Sequence, residues 1–442
     1  MSLVKYIKGL LKVNTALIEQ DYSADPIVKL LGVDANGGVN SGLVSTLIPT
    51  GVFGISDGNG KYTYYNTFTD AMTAAVGGDT IEMFADVEET TNTTVTLIDE
   101  ITINGNGHTY TLNVDDSADA FTFTITNGTV YFNNIKVVRT GRATGTASGV
   151  IGNFVNNTIK CQGAVFINDY GRGFKGDAGS IYNAHIISVE HGIYAPFSSK
   201  NLYDCYIEVT GSGKGTWLST GTISNCHVKS GSGDAINNGT GRIYNSVGIS
   251  TGALGIVCNG EVYNSTGQST SGVGISAQRM TNCVGISSTN TGISGEGRNC
   301  TGISTSGVGG SGKFYNSTLI SSSNYGASGN GGKLVGSTAR SISSIPVLCG
   351  TDYEISNSNV TCDWNNTGGH CTASNVLLTA TLTNNKFKVA NASAYCISAY
   401  GGGGGSTWKW TNNSFEGSTT PINPTLTQGI TNTSDSQGNI LI

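Results

Sequence analysis

Charged residues, proline and histidine are all scarce in this chain. Only 12% of its 442 residues are charged, 6 are Pro and 5 are His, and the formal net charge is −6. A chain with this charge and no cluster of Lys or Arg offers little to a polyanion, so nucleic acid is not an expected partner. No apolar stretch approaches the roughly 20 residues of a membrane helix, so membrane insertion is not expected either.

Several signatures of catalysis and cofactor binding are also absent. The sequence holds no Ser-His-Asp phrase, no phosphate loop, no dinucleotide fingerprint and no CxxC pair. These patterns mark the common nucleophilic, nucleotide-dependent and zinc sites. We therefore expect no cofactor and no metal.

What the chain has in abundance is glycine, 64 residues in all, and one repeated phrase. The phrase is an apolar residue, a Tyr or small polar residue, Asn or Asp, and a small residue. Its third position recurs every 17 to 21 residues, at Asn183, Asp204, Asn225, Asn245, Asn264, Asn282, Asn299 and Asn316. A period near 20 residues indicates one structural unit stacked on copies of itself.

Positions counted from this residue sort the side chains into columns. The residue two places before it is apolar, as at Ile181 and Leu202, and the residue one place before it is often Tyr. Apolar and polar residues at adjacent positions predict strands. Asn and Asp tolerate the left-handed backbone of a sharp corner, and their side chains can bond to copies of themselves in neighbouring units. We predict an Asn ladder at a corner.

Four cysteines occupy the position one place after the corner, which Ala and Ser also occupy: Cys205, Cys226, Cys283 and Cys300. A position that accepts these three residue types predicts small buried fillers. We therefore expect free thiols and no disulfide framework. Free thiols, and an N-terminus in which lysines interrupt any signal-like apolar run, favour synthesis in a reducing cytoplasm.

A unit of this length suits one rung of three short strands, stacked at about 4.8 Å per rung. With its corner Asn, the chain resembles the right-handed parallel β-helices of the pectate-lyase-like group, which includes many phage tailspikes. The helix-forming segment 67–75, the Gly-Asp-Thr-Ile phrase at 78–81 and the segment 101–108 look like the opening of such chains. The resemblance implies an all-β, right-handed, single-stranded parallel β-helix, a capping helix and a homotrimer.

Four parts follow from this interpretation. Residues 1–55 resemble the small attachment regions of virion spikes, and residues 56–112 form the entrance to the β-helix with its capping helix. Residues 113–420 form the parallel β-helix. Residues 421–442 form a C-terminal arm or cap.

A column of alternating charge lies three places before the corner and reads Arg242, Glu261, Arg279, Glu296 and Lys313. Neighbours in a column stand about 4.8 Å apart, so opposite charges can pair between rungs. The two glutamates, two rungs apart, also fall near the spacing of an inverting glycosidase. Because Arg stands beside both, we favour a structural ladder.

A second outward patch joins His185, Tyr206 and His227, two places after the corner, with Glu208 and Lys229 two places further along. With so few histidines in the chain, two in one column around a Tyr suggest a face that contacts sugar or performs acid–base work. A polar stack within a subunit interface is the alternative. We expect Glu208 to pair with Lys229.

Aromatic residues supply the remaining glycan-binding candidates. A Tyr column one place before the corner includes Tyr182 and Tyr203, and Trp408 and Trp410 alternate around Lys409 as in a strand. Stacked aromatic rings can bind glycans through their faces or can be buried between protomers. We expect burial in an oligomer first and glycan binding second.

The acids offer only weak catalytic candidates, namely Asp169, Asp177, Glu190 and Glu208. Glycoside hydrolysis needs two carboxyl groups about 5–9.5 Å apart, one of them able to hold a proton. The regular rungs show no such pair. One further question stays open: from Asn245 onward the apolar residue moves from three to four places after the corner, and the sequence does not fix which position faces inward.

We expect a virion appendage, a tailspike or tail fibre that recognises a host surface glycan. One alternative is a tailspike depolymerase that cleaves the polysaccharide as a glycoside hydrolase or lyase. Clustered outward Asp residues with Arg and Lys, which calcium-dependent lyases of the group use, are missing from the regular rungs. A second alternative is a capsid-borne head fibre. The expected partners are two further copies of the chain, other virion proteins bound through residues 1–55, and the host polysaccharide.

Overall fold

A computed structural model describes residues 51–419 and 440–441, except 58, 60, 92, 98–99, 114–120, 126–127, 142–148, 153–156, 177–178, 351, 366–369, 375–378 and 400–406. Almost all of the predicted attachment region, and residues 421–439 of the predicted C-terminal arm, lie outside the described residues. Within them the molecule is an all-β parallel solenoid, as predicted. No helix in these ranges is long and apolar enough to span a membrane.

The entrance to the solenoid is covered by one short helix. Helix α1 (Phe68–Ala74) begins at Thr67, whose side-chain oxygen accepts the backbone N–H of Asp70 at 3.0 Å. Its apolar face is buried, and the Phe68 ring lies 5.3 Å from the ring of Tyr110. An open first rung would expose core and unpaired backbone, so this helix is the predicted cap.

Beside the helix, strands β1 (Phe53–Ser56) and β2 (Tyr62–Tyr65) form an antiparallel hairpin. Strand β1 also pairs antiparallel with Thr80–Met83, the first strand of the solenoid. This hairpin therefore closes the edge of the first parallel strand.

The remaining strands stack in parallel in three columns. The post-corner column, which follows the corner residue, holds Val87–Glu89, Thr109–Asn113, Lys136–Thr140, Val165–Asn168, His185–Ser188, Tyr206–Val209, His227–Ser230, Val247–Ser250, Thr266–Ser269, Val284–Ser287, Thr301–Ser304, Thr318–Ser321, Thr338–Ser341, Asn359–Cys362, Lys386–Val389, Ser414–Glu416 and Ile440–Leu441. The pre-corner column, which leads into the corner, holds Thr80–Met83, Ile101–Asn104, Thr129–Asn133, Asn157–Gln162, Gly179–Tyr182, Thr222–Ser224, Arg242–Tyr244, Tyr353–Ser356, Thr379–Thr383 and Thr407–Thr411.

The third column lies between the other two along each rung. It holds Thr93–Leu97, Phe121–Ile125, Gly149–Gly152, Arg172–Lys175, Thr216–Thr220, Ile236–Asn238, Val347–Cys349, His370–Ser374 and Tyr395–Ala399. Six longer strands run through both the third and the pre-corner column: Ile193–Tyr203, Ile256–Tyr263, Ile275–Thr281, Ile293–Arg298, Gly310–Tyr315 and Ala327–Val335.

The corner residues form the predicted column and extend it in both directions. All have a positive φ, between 44° and 66°, and they are Asn134, Gly163, Asn183, Asp204, Asn225, Asn245, Asn264, Asn282, Asn299, Asn316, Gly336, Asn357, Asn384 and Asn412. Left-handed φ is costly for most side chains and tolerated by Asn, Asp and Gly. From Asn225 to Asn299 each side-chain amide donates to the side-chain oxygen one rung earlier, at 3.0–3.3 Å.

A second ladder lies inside the corner, one place further along. All ten cysteines of the chain are free and buried, and four of them share this position with Ala, Ser and Asn. Where the residue is Ser or Asn, its oxygen accepts the backbone N–H of the rung before, as from Ser246 N–H to Ser265 Oγ at 3.1 Å. The prediction of small buried fillers without disulfides is confirmed.

Beyond Asn245 the interior of the solenoid is very narrow. This determines which of the two positions, three or four places after the corner, faces inward. Three places after the corner stand the buried glycines Gly248, Gly267, Gly285 and Gly302. A Cβ on any of them would overlap the carbonyl oxygen of the residue just before a third-column strand. The apolar residue four places after the corner, such as Ile286, therefore points outward and is partly exposed.

We expect Asn264→Ala to destabilise the protein by roughly 2 kcal/mol, because Ala tolerates the left-handed corner poorly and loses both ladder hydrogen bonds. Asn264→Gly loses the same two bonds but adopts the left-handed corner without steric strain, so it should cost clearly less. Urea unfolding measures both variants. Equal losses for Ala and Gly would show that the corner conformation is not what Asn supplies.

We expect Gly285→Ala to lower stability by about 1–3 kcal/mol, since the new methyl group overlaps the Gly292 carbonyl in a space with no room to relax. Ser276→Ala, on the outward face of a neighbouring strand, is the matched control and should melt like the parent protein. A Gly285→Ala variant with an unchanged melting temperature would contradict the narrow core.

Candidate functional site

The outward face of the pre-corner column carries the predicted aromatic stack. The rings of Tyr182 and Tyr203 stack at 4.7 Å, and those of Tyr244 and Tyr263 stack at 5.2 Å. Arg298 lies over the ring of Tyr315 at 5.2 Å. The column is therefore a broken ladder of paired rings, each partly open to solvent.

The alternating charge column on the same face pairs between rungs, with one difference from the expected pattern. Glu261 bonds Arg242 at 3.2 Å and Arg279 at 3.3 Å, one cation on either side. Glu296 instead contacts Arg298 at 3.4 Å, two places further along its own strand. Glu261 thus has two cation partners in its own column, while Glu296 pairs with Arg298, which occupies a position of the Tyr column.

The His and Tyr residues of the post-corner column are brought together as predicted. The Tyr206 ring lies 4.7 Å from His185 and 5.4 Å from His227. Glu208 accepts the Tyr206 hydroxyl at 2.9 Å, while Lys229 lies 5.6 Å from the Tyr206 ring. The expected Glu208–Lys229 pair is replaced by this Tyr-centred arrangement. Burial, and then the positive Lys229, lower the pKa of His227.

A further cluster, which the sequence analysis did not assemble, lies where the post-corner strands turn into the third column. We call it the His191 cluster, and it consists of Arg172, Glu190, His191, Tyr194, Lys214, Trp217 and Asp234. Adjacent rungs place Tyr194 beside Trp217 in register, and backbone hydrogen bonds align His191, Lys214 and Asp234 next to them. Side chains of the third-column strands and of the turns that precede them therefore meet on one surface.

Aromatic contacts form the centre of the His191 cluster. The imidazole of His191 lies 5.2 Å from the Tyr194 ring and 5.4 Å from the Trp217 ring, and these two rings meet edge to face at 5.4 Å. Cations cover the aromatic faces, with Arg172 Cζ 3.4 Å from the Tyr194 centroid and Lys214 Nζ 4.6 Å from Trp217. Such contacts hold both cations in fixed positions.

Each cation also has an acidic partner. Arg172 Nε lies 3.5 Å from Glu190, and Lys214 Nζ lies 3.1 Å from Asp234. Asp234 additionally accepts the side-chain amide of Asn237 at 2.8 Å. A carboxyl that acts as a general acid must hold a proton, which an adjacent cation opposes. The arrangement is suited to hydrogen bonding with a ligand more than to proton transfer.

His191 is held in its neutral form. Its Nδ1 accepts the backbone N–H of Lys214 at 2.9 Å. Burial, and then the charge of Arg172, lower the pKa of His191 from 6.5 to about 4. At neutral pH the ring therefore contributes a flat, uncharged surface.

The other predicted site residues are scattered. Asp169 and the neighbouring Tyr170 are exposed, with half of Tyr170 open to solvent. Of the acids named from sequence, only Glu190 joins the His191 cluster. Asp177, and the side chains of Trp408 and Trp410, lie outside the described residues. Within the described ranges, no three His, Cys, Asp or Glu side chains come close enough to hold a metal ion.

Counting from the corner could not have found the cluster. Tyr194 and Trp217 are in register, yet they stand 11 and 13 places after their corner residues. The turn between the two columns differs in length from rung to rung, so equal offsets no longer mean equal height. A search for aromatic and charged residues at shifted offsets would have been needed.

Comparisons with known proteins add little to this geometry. No family model matches the sequence, and no curated protein matches it. Among solved structures, 78% of the chain aligns with 56% of tailspike protein 3 of bacteriophage CBA120, at 9% identity and a TM-score of 0.23. The chain thus spans about half the length of that tailspike. A likeness this weak says nothing about what the chain binds.

The lowered pKa of His191 predicts a pH dependence of stability. Between about pH 6.5 and pH 4 the unfolded chain binds more protons at this residue than the folded chain, so stability should fall as the pH drops through that window. His191→Asn should remove that part of the dependence. Urea unfolding between pH 4 and 7 tests this, and an unchanged slope in the variant would contradict a neutral, half-buried His191.

Proposed function

We propose that the protein is a phage virion appendage, a tailspike or tail fibre, whose solenoid binds a bacterial surface polysaccharide. The parallel solenoid with its capping helix supports this proposal, because it is the architecture that the sequence resemblance implies. Residues 1–55 would attach the chain to other virion proteins. Such a protein is synthesised in the host cytoplasm and is then incorporated into the virion.

The observation that carries glycan binding is the His191 cluster. Sugar rings present apolar C–H faces and many hydroxyl groups. Tyr194 and Trp217 offer partly exposed aromatic surface. Glu190, whose side chain is 39% exposed, offers a planar carboxylate that can accept from two hydroxyls at once. A rigid arrangement of this kind binds without a large ordering cost.

Binding without cleavage is the form of this function that the site favours. Both acids of the His191 cluster contact cations, and Glu208 is occupied by the Tyr206 hydroxyl. The depolymerase alternative requires a protonated carboxyl opposite a second one. Among the described residues, Glu190 and Asp234 each contact a cation instead, and Glu208 accepts a hydroxyl group.

We expect the purified full chain to bind one member of a panel of capsular and lipopolysaccharide glycans, and Trp217→Ala to weaken binding at least tenfold, as for other aromatic anchors. Tyr244→Ala, in the Tyr column, is the matched control and should bind like the parent chain. Reducing-end assays should show no cleavage.

Three outcomes would count against the proposal. Released oligosaccharides would establish the depolymerase instead. Binding lost in Tyr244→Ala but kept in Trp217→Ala would move the site to the Tyr column. Failure to bind any glycan on the panel would favour a structural fibre.

A further inference from the structure

An uncharged strip, apolar at six of its ten positions, runs along the outside of the post-corner column where the solenoid is narrowest. We call it the Ile strip, and it consists of Val247, Ile249, Thr266, Gln268, Val284, Ile286, Thr301, Ile303, Thr318 and Ile320. The strands are in register, so these side chains form two straight columns across five rungs. All point away from the core, since the residues between them are buried Gly, Ser and Leu.

The strip exists because of the glycines behind it. In earlier rungs the apolar residue of this strand lies three places after the corner and is buried, as at Ile186 and Ile207. From Asn245 to Asn299 glycine takes that position, and the core has no room for a side chain. The branched residues have moved to the surface. The outward face of a half-buried sheet is normally polar, so a face with six branched apolar residues and no charge calls for a partner.

The strip carries no charge, and charges begin immediately beyond both of its ends. Lys229 precedes Ile249 in the same column, and Arg340 follows Ile320. On the pre-corner face of the same rungs, every rung has a charged residue, such as Arg242 or Glu261. The lack of charge is therefore specific to this face.

We propose that the Ile strip is the contact between parallel copies of this chain, packed around an axis along the solenoid. In such a symmetric assembly, each residue near the axis meets its own copies at the same height. A charged residue there would face like charges, which is costly. Uncharged branched residues pack against their own copies. A second copy is thus the occupant that the charge pattern fits.

The strip is the centre of that contact and not its whole extent. Five rungs at about 4.8 Å give a face roughly 20 Å tall and 10 Å wide, whereas a standard interface buries about 800 Å² per partner. The adjoining turn supplies a polar rim of exposed hydroxyl residues at Thr251, Thr270, Ser288 and Thr305. An apolar centre with a polar rim is the usual anatomy of an interface.

The face buried in this assembly differs from the one expected from the sequence. The Tyr column, for which burial was expected, lies across the Asn corner on another face. With the Ile strip at the axis, the Tyr column and the His191 cluster stay available to a glycan. The inference rests on the proposed function only for the number of copies, three.

Light scattering on the full chain tests the proposal. The parent protein should give a mass three times the 45.6 kDa of one chain. Ile303→Lys places like charges around the axis and should give a monomer. Tyr263→Lys, an equally drastic change on the Tyr column, is the matched control and should remain a trimer. A monomeric parent, or a trimer that survives Ile303→Lys but not Tyr263→Lys, would overturn the proposal.

A second variant covers the case in which Ile303→Lys fails to fold. In Ile303→Cys the introduced thiols should be joined between copies by a short bis-maleimide, giving a covalent dimer on a denaturing gel. The ten native thiols are buried and should not react. Ser276→Cys, on the third column, should give no dimer. Absence of the dimer in Ile303→Cys would also overturn the assignment, and glycan binding by the same protein would leave the proposed function standing.

Discussion

Each rung of this protein passes through a corner residue with a left-handed backbone, and the register of the whole solenoid depends on that corner. Asn, Asp and Gly adopt it at low cost, and the Asn amides bond one rung to the next. Because the corner is fixed, residues at equal short distances from it stand above one another. A residue type that recurs at one position of the repeat therefore forms a column on the surface. Adjacent columns together make an extended face.

Surface features then arise in two different ways. Where the register is strict, residues of related chemistry form long columns, as in the Tyr column, the charge ladder and the Ile strip. Where it breaks, side chains of several types converge. The His191 cluster lies beside a register shift between Ala195 and Ser199, and close to it along the chain Phe197 is 90% exposed. Irregular turns on a rigid scaffold are common places for binding sites.

The sequence was sufficient for the parts that depend on local chemistry. The Asn corner, the capping helix after Thr67 and the buried cysteines follow from propensity and small size. Corners at Gly163 and Gly336 were missed because they lack the Asn of the phrase. The outward facing of Ile286 depends on how close the opposite strand approaches, and the His191 cluster depends on turn length. Both are properties of packing, which spacing alone does not contain.

Electron cryo-microscopy of intact virions locates the chain, its copies and its exposed faces in one measurement. We expect a three-fold appendage with its N-terminal end on the particle, the Ile strip along the axis and the His191 cluster facing solvent. A single solenoid on the particle, or an assembly with the His191 cluster buried at the axis, would contradict it.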